Sequence, residues 1–165
     1  MDKILVFSDL HAGVYTRFNK DERLSDLEKC LDYILQYIIK ENVRYVVFLG
    51  DLFERKNLIE TECISIISQK FFKISKVAEL FVVDGNHDVY SKSFVTDILP
   101  FATIFHKPEK IEIAGYDVLF VPFTKKINFD LPTVDIVFGH FSCYDIPKCK
   151  DKSNEITYKI FNKIP

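Results

Sequence analysis

The run Tyr45-Val46-Val47-Phe48-Leu49-Gly50-Asp51 constrains this chain more than any other stretch. β-Branched and aromatic residues without polar alternation form a strand buried on both faces. The run stops at a glycine and delivers one carboxylate, and the same device recurs. Residues 3–8 lead into Asp9-Leu10-His11, residues 80–84 into Gly85-Asn86-His87-Asp88, and residues 134–138 into Gly139-His140. Apolar strands therefore end repeatedly in side chains of the metal-ligating kinds.

Between them, residues 21–40 carry Leu24, Leu27, Leu31, Ile34, Leu35 and Ile38 at spacings of three and four, with acids early and a lysine late. That pattern predicts an amphipathic crossover helix. Asn57 and Glu60 predict a capping arrangement for a second helix reaching about Lys76, with Cys63, Ile66, Ile67, Phe71 and Ile74 inward. Two strand–helix–strand units imply parallel pairing. A short helix is expected over 93–99, ended by Pro100. Residues 110–114 and 116–121, joined at Gly115, alternate like an antiparallel hairpin. The shift from crossovers to hairpins predicts an α/β fold, a mixed sheet or two-sheet sandwich flanked by helices, as one domain over 1–165. Residues 145–155 read as an exposed loop, and 156–165 as the start of a further apolar segment.

A formal charge of −2 and a pI near 6.1 give no overall pull toward nucleic acid, so a polyanion must be held by a local feature such as metal ions. No apolar stretch is long enough to span a bilayer, and a cytoplasmic protein is expected. Cys30, Cys63, Cys143 and Cys149 lack CxxC spacing and predict reduced thiols, the first two on apolar helix faces. A structural zinc site is not expected. Lys125, Lys126, Lys148, Lys150 and Lys152 read as solvated surface, and His106 as a strand-end residue without a role.

Ligands in an open α/β sheet gather outside the carboxyl ends of the strands. If the four strands are neighbours, Asp9, His11, Asp51, Asn86, His87 and His140 meet there. Carboxylate, carboxamide and imidazole together suit Mn, Fe or Zn. Asp51 could bridge two ions roughly 3.5–4 Å apart, the spacing used for in-line phosphoryl displacement. His87, adjacent to Asn86, is better placed to donate to a phosphate or leaving oxygen than to bind metal.

Asp9-x-His11, Gly50-Asp51-x-x-Glu54-Arg55, Gly85-Asn86-His87-Asp88 and Gly139-His140 resemble the successive motifs of the calcineurin-like metallophosphoesterases, from residue 3 to the end of the chain. Residues 50–55 and the helix after them are most similar to SbcD-type DNA nucleases, which work with an SMC-like ATPase in double-strand-break repair. The resemblance implies a metallophosphoesterase sandwich with two divalent ions, Mn before Fe or Zn. It implies Asp9, His11 and Asp51 on one ion, and Asp51, Asn86 and His140 on the other. His87 becomes the catalytic group at the leaving oxygen, Glu54 takes the place of the acid that orients it, and Arg55 braces the loop. DNA, an SbcC-like ATPase and a second copy of the chain are the implied partners. The family's Gly-His-x-His motif is absent from the sequence, so the fold is expected to lack its last strands and each ion to have three protein ligands. The alternative is a non-catalytic scaffold, or half of a split nuclease completed by a second chain carrying that motif.

Overall fold

A computed structural model describes residues 2–14, 19–124, 132–143 and 155–156. The chain runs β1 (Ile4–Phe7), α1 (Lys20–Glu41), β2 (Tyr45–Phe48), α2 (Thr61–Ser75), β3 (Glu79–Val83), β4 (Val89–Tyr90), β5 (Ser93–Phe94), a 3-10 turn (Val95–Ile98), β6 (Thr103–Phe105), β7 (Glu109–Ile113), β8 (Tyr116–Val121) and β9 (Ile136–Gly139). A short parallel pair, β10 (Ser142–Cys143) and β11 (Glu155–Ile156), follows, so Glu155 opens a strand where a loop was expected. The rest of the expected loop, residues 145–154, lies outside the described residues, as do 157–165, Cys149 and the lysines at 125, 126, 148, 150 and 152.

Strands β1, β2, β3 and β6 form one parallel sheet in the order β1-β2-β3-β6. Phe7 aligns with Phe48 and Phe48 with Val82, so three strands leave the sheet along a common edge. Alternation along the strands divides the core into two layers. Val46, Phe48, Leu80 and Val82 face the helices and pack with Leu31, Ile38, Cys63, Ile67, Phe71 and Ile74. Tyr45, Val47, Phe81 and Val83 face the other way, onto Val118 and Phe120 of the second sheet. Phe105 and Phe120 stack across that seam with ring centroids 4.1 Å apart. This is the predicted two-sheet α/β sandwich. Burial on both faces explains why β2 and β3 read as continuous apolar runs.

The second sheet is β7-β8-β9. Its hairpin turns at Ala114 and Gly115, both at positive φ (55° and 82°), as a two-residue primed turn requires. The fourth ligand-bearing strand belongs here: β9 pairs parallel with β8, and the expectation that it neighbours the other three is corrected. An apolar run carries no label for its partner, and either sheet would bury it equally. The sandwich nevertheless brings the end of β9 to the common edge.

Three further expectations change. Helix α2 begins at Thr61, and its N-cap Glu60 makes no side-chain capping bond, so the predicted cap at 57–60 does not form. Residues 93–99 are a strand and a 3-10 turn, because Phe94 is extended against Val89 and Val95 N–H donates to Asp88 O at 2.9 Å. Cys30 is exposed, one position off the inward stripe that contains Leu31, whereas Cys63 is fully buried. Burial pushes the Cys63 thiol up to about 11. At pH 8 only about one part in a thousand of it is thiolate, the reactive form. Iodoacetamide is therefore expected to label Cys30 in the native protein and Cys63 only after unfolding, as read by peptide mass mapping.

The two helices are joined by a buried amine. Lys70 Nζ lies 2.7 and 2.8 Å from the Asp32 carboxylate oxygens and 3.0 Å from Glu28. Its bond to Asp32 first, and then that to Glu28, holds the ammonium above its ordinary pKa against the desolvation that lowers it.

Candidate metal centre

The loops leaving β1 and β2 run side by side beyond the sheet. Asp9, His11 and Ala12 donate their amides to the carbonyls of Gly50, Asp51 and Leu52, each at 3.0 Å, and Ala12 pairs with Phe53 as a parallel bridge. This ladder holds Asp9, His11 and Asp51 at φ of 57°, 42° and 60°, the left-handed region that non-glycine residues avoid at about 1–3 kcal/mol each. Three of the predicted ligands thus sit where backbone strain is concentrated, and strain of this kind collects at functional sites.

The loop after β3 is locked to them by Asp88, whose carboxylate is fully buried. It accepts from Gly85 N–H and Asp51 N–H at 2.7 Å and from Leu52 N–H at 2.8 Å. Burial pushes this carboxyl above the usual range, and the three amides pull it back. Sequence reasoning assigned it no role, although its place in Gly85-Asn86-His87-Asp88 was the available signal.

Asp51, 4% exposed, occupies the middle of the group. Its Oδ2 lies 3.5 Å from His11 Nε2, which is 3.6 Å from Asp9 Oδ1. Its Oδ1 accepts from His87 N–H at 2.8 Å and lies 3.7 Å from His140 Nε2. That nitrogen is 3.0 Å from Asn86 Oδ1, while His140 Nδ1 is 2.7 Å from Leu49 O. A backbone carbonyl only accepts, so Nδ1 carries a hydrogen toward Leu49 O, and Nε2 is the ring atom turned toward Asn86 and Asp51. Strand β9 delivers this ring by His140 N–H to Val121 O, at 3.0 Å.

His87 Nδ1 is held by the Glu54 carbonyl at 2.7 Å, and the His11 and His87 rings meet edge to face at 4.9 Å. Ligand-type atoms of His11, Asp51 and His87 lie within 4.8 Å of one another, so His87 stands among the ligand-type groups. The Glu54 carboxylate approaches His11 Nδ1 at 2.9 Å but off the hydrogen-bonding line. Glu54 thus contacts His87 through its main chain and His11 through its side chain, which differs from the expectation that its carboxylate orients His87. Arg55 is exposed. Ser8 Oγ donates to Asp9 Oδ2, and a cleft of about 240 Å³ opens between Asp9, Leu49, His140 and Phe141.

His106 does stand at the end of β6, but it is not idle. Its Nδ1 is 2.5 Å from Asp84 Oδ2 and its Nε2 is 3.2 Å from Asp97 Oδ1. Asp84, 1% exposed, is held above the usual carboxylate range by burial, with Thr96 and His106 opposing. This pair was not foreseen. An acid closing an apolar strand was its only mark in the sequence.

The donor types fit a divalent metal: the Asp51 carboxylate would be shared between Asp9 and His11 on one side and Asn86 and His140 on the other, with His87 close by. A solved structure similar to this chain is that of the protein of unknown function AQ665 from Aquifex aeolicus, at 20% identity and a TM-score of 0.40. The match covers 76% of this chain and 62% of that one, so the chain spans less than two thirds of that protein's length. The model of the calcineurin-like phosphoesterases matches residues 2–163, and the chain belongs to that family.

Proposed function

We propose that the chain is a two-ion phosphodiesterase acting on DNA ends, the nuclease subunit of an SbcCD-like assembly with an SMC-type ATPase. The observation that carries the reading is the position of Asp51, with one oxygen toward His11 and the other toward His140. In this reading Asp9, His11 and Asp51 hold one ion, and Asp51, Asn86 and His140 the other. Two divalent ions there, Mn first, supply Lewis-acid charge to a phosphoryl group under in-line attack. His87, its Nδ1 hydrogen held on the Glu54 carbonyl, would as the imidazolium give its Nε2 proton to the leaving oxygen and be left as the neutral Nδ1–H ring. DNA is favoured over other phosphoesters by the likeness of residues 50–55 to the SbcD-type nucleases.

The test is Mn uptake followed by hydrolysis of linear DNA, bis(p-nitrophenyl) phosphate and p-nitrophenyl phosphate. Mn-dependent cleavage of DNA and the diester, with the monoester at least about tenfold slower, is expected. A preference for the monoester would make the chain a phosphatase. Absence of Mn uptake would leave the scaffold reading.

A further inference from the structure

Asp84 joins two parts of the molecule that carry different ligands. It is linked to Asn86 through Gly85 alone. Its carbonyl accepts from Phe123 N–H at 2.8 Å, and two residues earlier in that segment Val121 O accepts from His140 N–H at 3.0 Å. Asn86 and His140, whose side chains meet at 3.0 Å, are therefore both referenced to Asp84. His11 and Asp9 are anchored on the ladder to residues 50–52, which the Asp84 segment reaches through the Asp88 carboxylate.

The Asp84 side chain is in turn fixed from outside the centre. Thr96 Oγ1 donates to Oδ1 and His106 Nδ1 faces Oδ2, each at 2.5 Å. The His106 ring lies against Phe94 with centroids 4.0 Å apart, and Asp97 faces its other nitrogen. We infer that His106 is a positioning residue for one of the two ion sites: through Asp84 it sets the separation of Asn86 from His140, and it reaches the Asp9–His11 side less directly, through Asp88 and the shared Asp51. The inference rests on the two-ion reading above. Outer partners of metal ligands typically change affinity by about 10–100-fold, and the same order is expected here for the Asn86–His140 ion, with a smaller loss at the other.

Two substitutions separate this role from packing. His106→Phe keeps an aromatic ring against Phe94 and removes the donor, whereas His106→Asn keeps a donor near the place of Nδ1 and removes the ring. The probe is Mn²⁺, followed by calorimetric titration and by electron paramagnetic resonance, which distinguishes a spin-coupled Mn pair from single ions. Wild type is expected to take up two ions and show the coupled spectrum. His106→Phe is expected to bind one ion about 10–100-fold more weakly, to lose less affinity for the other, and to lose the coupling. His106→Asn is expected to restore it. Retention of the coupled pair by His106→Phe, or equal loss in both variants, would overturn the inference while leaving the two-ion reading intact. A wild-type protein without a second Mn site would overturn both.

Discussion

Replacing Asp51 with Asn is expected to remove the coupled Mn pair and, with it, Mn-dependent diester hydrolysis, while the fold survives. The side chain keeps its shape, and its remaining carbonyl can still accept from His87 N–H, now 2.8 Å from Oδ1. What it loses is charge and one acceptor, at the group that faces His11 on one side and His140 on the other. An amide cannot present acceptor oxygens in both directions, so at least one side receives an N–H₂ donor instead. Loss of an outer partner already weakens metal binding by about 10–100-fold, so loss of a shared direct ligand should exceed about 100-fold. Stability should move by less than about 1 kcal/mol, because an isosteric change leaves the packing intact and relieves repulsion between Asp51 and the buried Asp88 carboxylate. Mn titration, diester hydrolysis and thermal melting of the same preparation measure the three quantities. Two Mn ions bound to Asp51→Asn at wild-type affinity would remove the bridging role.

Much of this was legible because the relevant information is local. The runs at 45–48 and 80–83 alternate between two apolar layers, so their burial on both faces is written in composition, and their common exit edge follows from parallel pairing. Asp9, His11, Asp51, Asn86 and His140 could be picked out because each follows such a run. The remainder depends on partners that leave no trace in residue type. His87 is held by a main-chain carbonyl, which every residue possesses, and only the folded loop specifies that it is Glu54's. Strand β9 could have extended either sheet, and its choice depends on the pairing with β8. Asp84 and His106 lie twenty-two positions apart, and neither forms a motif with its immediate neighbours. The 3-10 turn at Val95–Ile98 was misread as a helix because Thr96, taken alone, gives no sign that its hydroxyl is used by a buried acid.

Gly85→Ala is expected to damage both the centre and the fold, and the reason is the distance between two loops. A Cβ at 85 would lie 2.2 Å from Asp51 Oδ1 and 2.4 Å from Asp51 N, and one at 50 would lie 2.3 Å from Gly85 N. The main chains leaving β2 and β3 therefore touch, and that contact lets one Asp88 carboxylate accept from Gly85, Asp51 and Leu52 together. Alanine at 85 meets main chain, which cannot swing aside as the end of a long side chain can. Forcing the loops apart adds overpacking of about 1–3 kcal/mol, and each amide bond withdrawn from buried Asp88 adds about 1–3 kcal/mol more. A net loss of about 3 kcal/mol corresponds to roughly 6–12 °C in melting midpoint for a domain of this size. The same displacement carries Asp51 away from His11 and His140, so Mn uptake should fall with the midpoint. Gly115→Ala is the control: unlike Gly85 it has positive φ, 82°, but its added Cβ meets nothing within 4 Å. That variant should lose only about 1 kcal/mol to backbone strain and bind Mn as wild type does. Equal effects of the two substitutions on Mn binding would show that close approach of the β2 and β3 loops is not what assembles the centre.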